Sequence, residues 1–201
     1  MSDDIKKPHS SAREDRELIA AFQEKQSKEL FDWLVIKYQH KVFNICYRFM
    51  GNYHDANDCA QDTFVKVYRS LKNFQFKSEF STWLYRIAVN TCKSRLTSLA
   101  YRMNKMMGRL GRGTNDDDPP VEIKDETRSP ETELERKERS ETIQKAIDSL
   151  ADDHRLVVIL RDIEGLSYEE VAEATGYNIG TVKSKLARAR YRLQKKLEGM
   201  I

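Results

Sequence analysis

Across 201 residues, 39% hydrophobic and 33% charged, the composition suits one large soluble domain or two small ones. No apolar run nears the roughly 20 residues of a membrane span, and the polar start, MSDDIKKPHSSAREDRE, holds no secretory apolar segment. The formal net charge of +3 is the sum of segregated blocks of opposite sign, which excludes a uniformly acidic or basic surface.

Helical spacing of apolar residues predicts an all-α chain. The first element runs from about Arg13 to Glu24 and carries Leu18, Ile19 and Phe22. The second, from Lys28 to Phe49, repeats Leu30, Leu34, Tyr38, Val42, Ile45 and Phe49, and Gly51-Asn52 ends it. Asp55 to Leu71 follows, with Ala56, Cys59, Ala60, Phe64, Val67 and Leu71. The stretch KNFQFKS, Lys72 to Ser78, is a break. A fourth helix, opening as FSTWLYRIAVNTCKSR, runs from Phe80 to about Leu99. Four helices with short connections predict a bundle.

Met103 to Pro130 holds three of the eight glycines, a DDDPP run and Ser129-Pro130, so it reads as a flexible linker. Fully extended it would span up to roughly 90–100 Å. Glu131 to Leu150 resumes helix, with Leu134, Ile143, Ile147 and Leu150. Asp152 or Asp153 is expected to cap the next helix, DDHRLVVILRDIEG, which Gly165 terminates.

Leu166 to Arg190, LSYEEVAEATGYNIGTVKSKLARAR, predicts a helix-turn-helix. Ser167 and Glu170 have capping-box spacing. Val171, Ala172 and Ala174 are expected to face inward, with small Ala172 at the crossing of two helices. Gly176-Tyr177-Asn178 makes the turn, and a second helix starts near Ile179. Along that helix Val182, Leu186, Ala189 and Leu193 share one face. Thr181, Ser184, Arg188 and Arg192 lie opposite, flanked by Lys183 and Lys185. A basic outer face on the second helix suits the major groove, where Arg and Lys donate to guanine and Ser or Thr to bases or phosphates.

The helix at Phe80 divides into two stripes. Phe80, Leu84, Ile87, Ala88 and Thr91 form a buried stripe, while Trp83, Arg86, Asn90 and Lys93 step along a neighbouring line. Cations, an amide and an indole in line suit single-stranded DNA, where aromatic stacking contributes roughly 1–3 kcal/mol per base.

Charge agrees with two polyanion-facing regions. From Phe80 to Asn115 there are seven bases and no acid; from Thr114 to Glu141 there are eleven acids against five bases; from Gly176 to Ile201 there are seven bases against Glu198 alone. Catalytic chemistry has little footing. Cys46, Cys59 and Cys92 lack CxxC spacing, which fits a reducing cytoplasm rather than a disulfide framework or zinc ribbon. His9, His40, His54 and His154 form no HExxH or HxxxH pattern, and there is no Walker-type loop. No enzyme activity, cofactor, metal or small-molecule substrate is predicted.

These segments together resemble a bacterial RNA polymerase sigma factor of the extracytoplasmic-function (ECF) group, close to its sigma-E-like members. DANDCAQDTFVKVYRSLKNF and FSTWLYRIAVNTCKSRL are similar to sigma domain 2. SLADDHRLVVILRDIEGLSYEEVAEATGYNIGTVKSKLARARYRL is similar to sigma domain 4. The resemblance implies two small helical domains, at 13–102 and 131–201, joined by the flexible acidic linker at 103–130. It implies a transcription initiation factor that binds core RNA polymerase, directs it to promoters through −35 and −10 elements and helps melt the DNA.

By the same resemblance, core polymerase is contacted by Asp55, Asp58, Gln61, Asp62 and Phe64. The −10 element meets Lys72, Asn73, Phe74, Lys77, Trp83, Arg86, Asn90 and Lys93, with a pocket for a flipped base in the loop holding Phe74 and Phe76. The −35 element meets Thr181, Lys183, Ser184, Lys185 and Arg188, with Ala187 at a further matching position. Expected partners are core polymerase, promoter DNA and an anti-sigma factor, which in many members is membrane-anchored. The linker would thread through the polymerase, with Asp116 to Asp118 standing in for RNA phosphates. The alternative is a conventional helix-turn-helix regulator that binds duplex DNA without joining a polymerase.

Overall fold

The structure, a computed structural model, describes residues 9–98 and 130–198. The segment from 99 to 129, which holds nearly all of the expected linker and Asp116 to Asp118, lies outside the described residues, as do 1–8 and 199–201.

The first half is a four-helix bundle: α1 (His9–Lys25), α2 (Lys28–Met50), α3 (Tyr53–Leu71) and α4 (Phe80–Thr97). Helix α2 is central and packs against the other three. Its apolar repeat is buried as expected, from Phe31 and Leu34 through Val42 and Ile45 to Phe49. Gly51, at φ 77°, closes α2 in the left-handed conformation, donating its N–H to the Tyr47 carbonyl. Asn52 then caps α3, its Oδ1 accepting from the Asp55 N–H at 2.8 Å. This short link turns the chain back, so that α2 and α3 lie as neighbours.

Helix α1 is registered on α2 by one buried acid. Asp15, only 4% exposed, accepts from Lys37 Nζ at 2.6 Å and from the Tyr38 hydroxyl. An unpaired carboxylate there would carry a desolvation cost of several kcal/mol, so sliding α1 along α2 is opposed by more than lost apolar contact. Burial, followed by the bond to Asp15, raises the Tyr38 phenol above its ordinary range.

The second half contains α5 (Pro130–Asp148), α6 (Asp152–Val158), α7 (Tyr168–Thr175) and α8 (Ile179–Glu198). Helix α6 runs into one π turn over Ile159–Ile163, where the Glu164 N–H reaches back to the Ile159 carbonyl at 3.0 Å. Gly165 ends it at φ 75°. The expected cap needs correction. Ala151 occupies the N-cap position, and Asp152 and Asp153 lie in the first turn, where their charge complements the helix dipole without a capping hydrogen bond. Ile143, expected in the core, is among the exposed hydrophobic residues. Ala146, Ile147 and Leu150 are buried instead.

The two halves meet. Buried apolar side chains form one continuous cluster through both. Helix α7 lies on α4, and α5, α6 and the π turn contact α2. This explains a misreading of α4. Besides its expected core face, α4 also buries Thr82, Tyr85 and Val89, while Ile87 is only half-buried. Thr82, Tyr85 and Val89 are spaced along one side of α4, the helix on which α7 packs. The acids Glu164 and Glu170 of the second half add to burial in raising the Tyr85 phenol.

Candidate nucleic-acid and polymerase interfaces

The helix-turn-helix is built by local chemistry. Ser167 Oγ accepts from the Glu170 N–H at 3.1 Å, and the Glu170 carboxylate accepts from the Ser167 N–H at 2.7 Å. This reciprocal cap fixes the start of α7. Gly176, at φ 76°, closes it. Asn178 Oδ1 then accepts from the Thr181 N–H at 2.8 Å and opens α8. Val171 and Ala174 are fully buried against the core, whereas Ala172, expected at the tight crossing, is half-buried. Val182, Leu186 and Ala189 seat α8, with Leu193 partly buried beside them.

That seating leaves Lys183, Ser184, Ala187 and Arg188 exposed on the outer face, and Thr181 half-buried. Lys185 turns toward α6, with its Nζ 2.8 Å from Asp153. Arg192 also turns back, 3.3 Å from His154 Nδ1. Burial first, then Arg192, Lys185 and Arg188, push the His154 imidazole below its ordinary pKa, so it is neutral at physiological pH. The exposed set is therefore a compact basic patch, with Lys183, Ser184 and Arg188 on adjacent turns of one helix.

On α4, Arg86 and Asn90 are exposed, while Trp83 and Lys93 are half-buried. The Trp83 ring lies 4.9 Å from Phe74 and 5.9 Å from Phe80, centroid to centroid. Phe74 is itself 8% exposed, so its ring lies beneath the line and supports Trp83 from below. Gln23 pins this loop, donating to the Leu71 and Phe74 carbonyls at 3.1 and 2.8 Å. Phe76, in the left-handed region at φ 54°, packs edge-on to Phe74 and beneath the Arg16 guanidinium. Lys72, Asn73 and Lys77 project from the loop into solvent. The structure thus brings together an aromatic floor, two flanking lysines and the Trp83–Lys93 line.

The candidate polymerase face on α3 has two parts. Asp55 and Asp58 are both held by Arg95 of α4, at 2.9 and 2.7 Å. Gln61 and Asp62 are exposed beyond them. Phe64 is half-buried and lines an open groove of about 520 Å³ with Phe31, Val65 and Tyr68. Val65 and Tyr68 are 47% and 44% exposed. Both were missed in the sequence. The available signal was an apolar pair three residues apart on the face opposite Ala60, Thr63 and Val67.

Cys46, Cys59 and Cys92 come from three helices and are all buried. The neighbouring Cys92 thiol and burial raise Cys59, and the Cys46 thiol contributes most to raising Cys92, which keeps both protonated and unreactive. No group of three potential metal ligands occurs among the described residues.

Comparison with known proteins agrees with this arrangement. The Sigma-70 region 2 family profile matches residues 34–102, and the Sigma-70 region 4 profile matches residues 140–193. The RNA polymerase sigma-H factor of Pseudomonas aeruginosa is 37% identical over 198 residues, covering 94% of this chain and 96% of that protein. The ECF RNA polymerase sigma-E factor of Haemophilus influenzae is 36% identical, covering 87% and 90%. Among solved structures, CnrH in complex with the cytosolic domain of CnrY matches with a TM-score of 0.63 at 25% identity, over 92% of this chain and 97% of that one. The Bartonella quintana sigma factor RpoE, in complex with the anti-sigma factor NepR, matches with the same score and identity over 84% and 96%. A bundle bearing a mixed aromatic and basic helix, joined to a capped helix-turn-helix, thus coincides with a full-length family match: the chain belongs to the extracytoplasmic-function sigma factors and serves promoter-directed initiation of transcription by RNA polymerase.

Proposed function

We propose a division of labour among three surfaces. Residues 13–102 form a unit that joins core polymerase and reads the −10 element, 131–201 a unit that reads the −35 element, and 103–130 the tether between them. Asp58, Gln61 and Asp62, with Phe64 at the edge of the apolar groove, dock on core polymerase; Asp55 holds its place through Arg95. Lys183, Ser184 and Arg188 contact the −35 duplex from the major groove, with Thr181 and Lys185 at the margin. Trp83, Arg86, Asn90 and Lys93 hold the melted −10 strand, with Lys72, Asn73 and Lys77 on its phosphates.

The observation that carries this reading is the presence on one chain of two unlike DNA-facing elements. Helix α8 offers a basic face on a rigid helix, which suits duplex DNA. Helix α4 offers a supported indole beside exposed Arg86 and Asn90, which suits unstacked bases. A regulator that only binds duplex has no use for the second. The chain acts in the cytoplasm as a binding subunit and not as an enzyme. An anti-sigma factor is its expected inhibitor, since the similar sigma factor RpoE was solved in complex with the anti-sigma factor NepR.

The test is transcription by core polymerase on a genomic promoter library, with and without the chain. Promoter-dependent transcripts that appear only with the chain are expected. Tight palindromic duplex binding by the chain alone, with no such transcript, would support the simple regulator instead.

A further inference from the structure

The loop assigned to the −10 strand, residues 72–78, is held by α1. Gln23 donates to the Leu71 and Phe74 carbonyls at 3.1 and 2.8 Å. Leu71 ends α3 and Phe74 lies in the loop, so one amide sets the angle at which the loop leaves the helix. The Arg16 guanidinium stands over the Phe76 ring at 5.3 Å. Arg16 and Gln23 are seven residues apart, two turns along one face of α1, so they meet the loop about 10 Å from each other along the axis. That face is fixed in register. Asp15, next to Arg16, is buried against Lys37 and Tyr38, and Ile19 and Phe22 are buried in the core.

The loop needs this support. Phe76 sits at φ 54°, in the left-handed region, which a bulky residue keeps only when its surroundings hold it there. Exposure alternates along the loop: Phe74 is buried and Phe76 half-buried, while Gln75 and Lys77 project into solvent. The anchored rings continue inward. Phe76 lies 5.1 Å from Phe74, and Phe74 lies 4.9 Å from Trp83, centroid to centroid. Helix α1 thereby reaches the indole of the α4 line through two phenylalanines.

We propose that Gln23 and Arg16 are positioning residues for the −10 strand, acting through the loop rather than on DNA: they hold residues 72–78 in the shape that receives an unstacked base. The inference rests on the assignment of that loop and of Trp83 to the melted strand. The physical reason is pre-organisation. A base that leaves the stack carries the cost of unstacking, and a loop that had to be ordered at the same moment would add its own entropy to that cost. With Gln23 in place the loop is ordered when the chain folds, before DNA arrives.

The test uses holoenzyme, the full chain with core polymerase, and a short labelled single strand. The strand carries the non-template −10 sequence of a promoter from the library experiment. Each base in turn is replaced by an abasic site, and the ratio of dissociation constants gives the penalty for each missing base. The wild-type chain is expected to show one position with a penalty of about fivefold or more, the lower end for a base stacked on protein. Gln23→Met keeps the length without the donors and should reduce that penalty about two- to tenfold, the scale of a lost hydrogen bond. Gln23→Lys supplies a donor of similar reach and should return the penalty toward the wild-type value. Gln23→Glu sets a carboxylate against two carbonyls and should remove it. Arg16→Met should reduce it about twofold, the scale of a lost exposed cation–π contact, and Arg16→Lys should restore it. Arg16 is exposed, so its variants test the proposal even where Gln23→Glu fails to fold. Core affinity and binding to a −35 duplex should keep their wild-type values. An unchanged penalty in Gln23→Met and Arg16→Met, or a Gln23→Lys protein no better than Gln23→Met, overturns the proposal. If no position shows a penalty in the wild-type chain, and Lys72→Ala with Lys77→Ala leaves strand binding untouched, the assignment of the loop itself fails and takes the proposal with it.

Discussion

Arg155→Met tests what holds the second half in shape. Arg155 is 8% exposed, and its guanidinium donates to three main-chain carbonyls: Phe49 at 2.8 Å, Asp148 at 2.7 Å and Leu150 at 3.2 Å. The carboxylates of Asp148 and Asp152 lie 4.0 Å away, at the limit of an ion pair. Each bond from a charged donor contributes roughly 1.5–3 kcal/mol, but the three do not simply add. Burying the guanidinium costs several kcal/mol, and Nε is buried with no partner.

Methionine restores much of the aliphatic packing and leaves the carbonyls unpaired. The loss should be about 3 kcal/mol, near the lower end of what breaking a buried charged network costs. At this chain length that corresponds to a fall in Tm of roughly 6–12 °C. Urea unfolding followed by circular dichroism measures it. Asp152→Ala is the control: its side chain is 62% exposed at the 4.0 Å limit, so its effect should stay within about 0.5 kcal/mol. If Arg155→Met also stays within about 0.5 kcal/mol, the carbonyls have found other partners and the reasoning fails.

Four other outcomes are expected. Lys183→Ala and Arg188→Ala should each weaken −35-dependent transcription by about 1–3 kcal/mol, the worth of a base contact, while duplex opening at −10, once the closed complex has formed, stays unchanged. Asn90→Ala and Trp83→Ala should slow duplex opening more than closed-complex formation, seen as reduced permanganate reactivity of promoter thymines; normal reactivity in both removes the single-strand reading of α4. Val65→Asp places a charge at the rim of the apolar groove and should weaken core polymerase binding at least about tenfold, the scale of a lost interface anchor, with little change in folding, as titration with labelled core measures. Asp153 is held below its ordinary value of 3.8 first by Lys185 and then by Tyr177, both of the second half, so its contribution to the stability of that half is complete above that value and is lost as pH falls through its lower folded value. Stability to urea should therefore show no Asp153-dependent change from about pH 8 to 5 and lose that contribution below about 4, and Asp153→Asn should lower it throughout the higher range.

The local architecture was legible because local rules decide it. Capping-box spacing, three left-handed glycines and the period of Val182, Leu186 and Ala189 all depend on residues within a turn or two of each other. The same rules misplaced one cap, since a Ser-like signal at Asp152 or Asp153 cannot be told from first-turn acids without the backbone. What could not be read was long-range. Tyr85 lies outside the stripe of α4 that the sequence marks as buried, because nothing in its own helix shows that α7 packs there. Phe74 looked like a base contact because the loop sequence does not reveal that Gln23 draws its backbone inward. Arg95 looked like one more cation of a basic block, yet its partners are Asp55 and Asp58, separated from it by about ten helical turns of sequence.

The seam between the halves combines a few polar contacts with the packing of α7 on α4. Of the three bonds Arg155 makes, only the one to Phe49 crosses the seam; those to Asp148 and Leu150 travel with the second half. Lys93 and Lys185 lie over the Tyr177 ring at 5.0 and 5.1 Å, cation–π pairs of about 0.5–1 kcal/mol each, and Lys185 also binds Asp153 within the same half. The larger share is the packing of α7 on α4, with Tyr85 buried there. The groove of Phe31, Phe64, Val65 and Tyr68 is open with the halves in contact. Helix α3 is therefore accessible to a docking partner with no change at α4 or α8. Arg95 then matters for a second reason, because it joins α3, the helix proposed to dock on polymerase, to α4, the helix proposed to hold DNA. That junction lies within the first half, so docking through α3 would present the −10 line already oriented with respect to the polymerase.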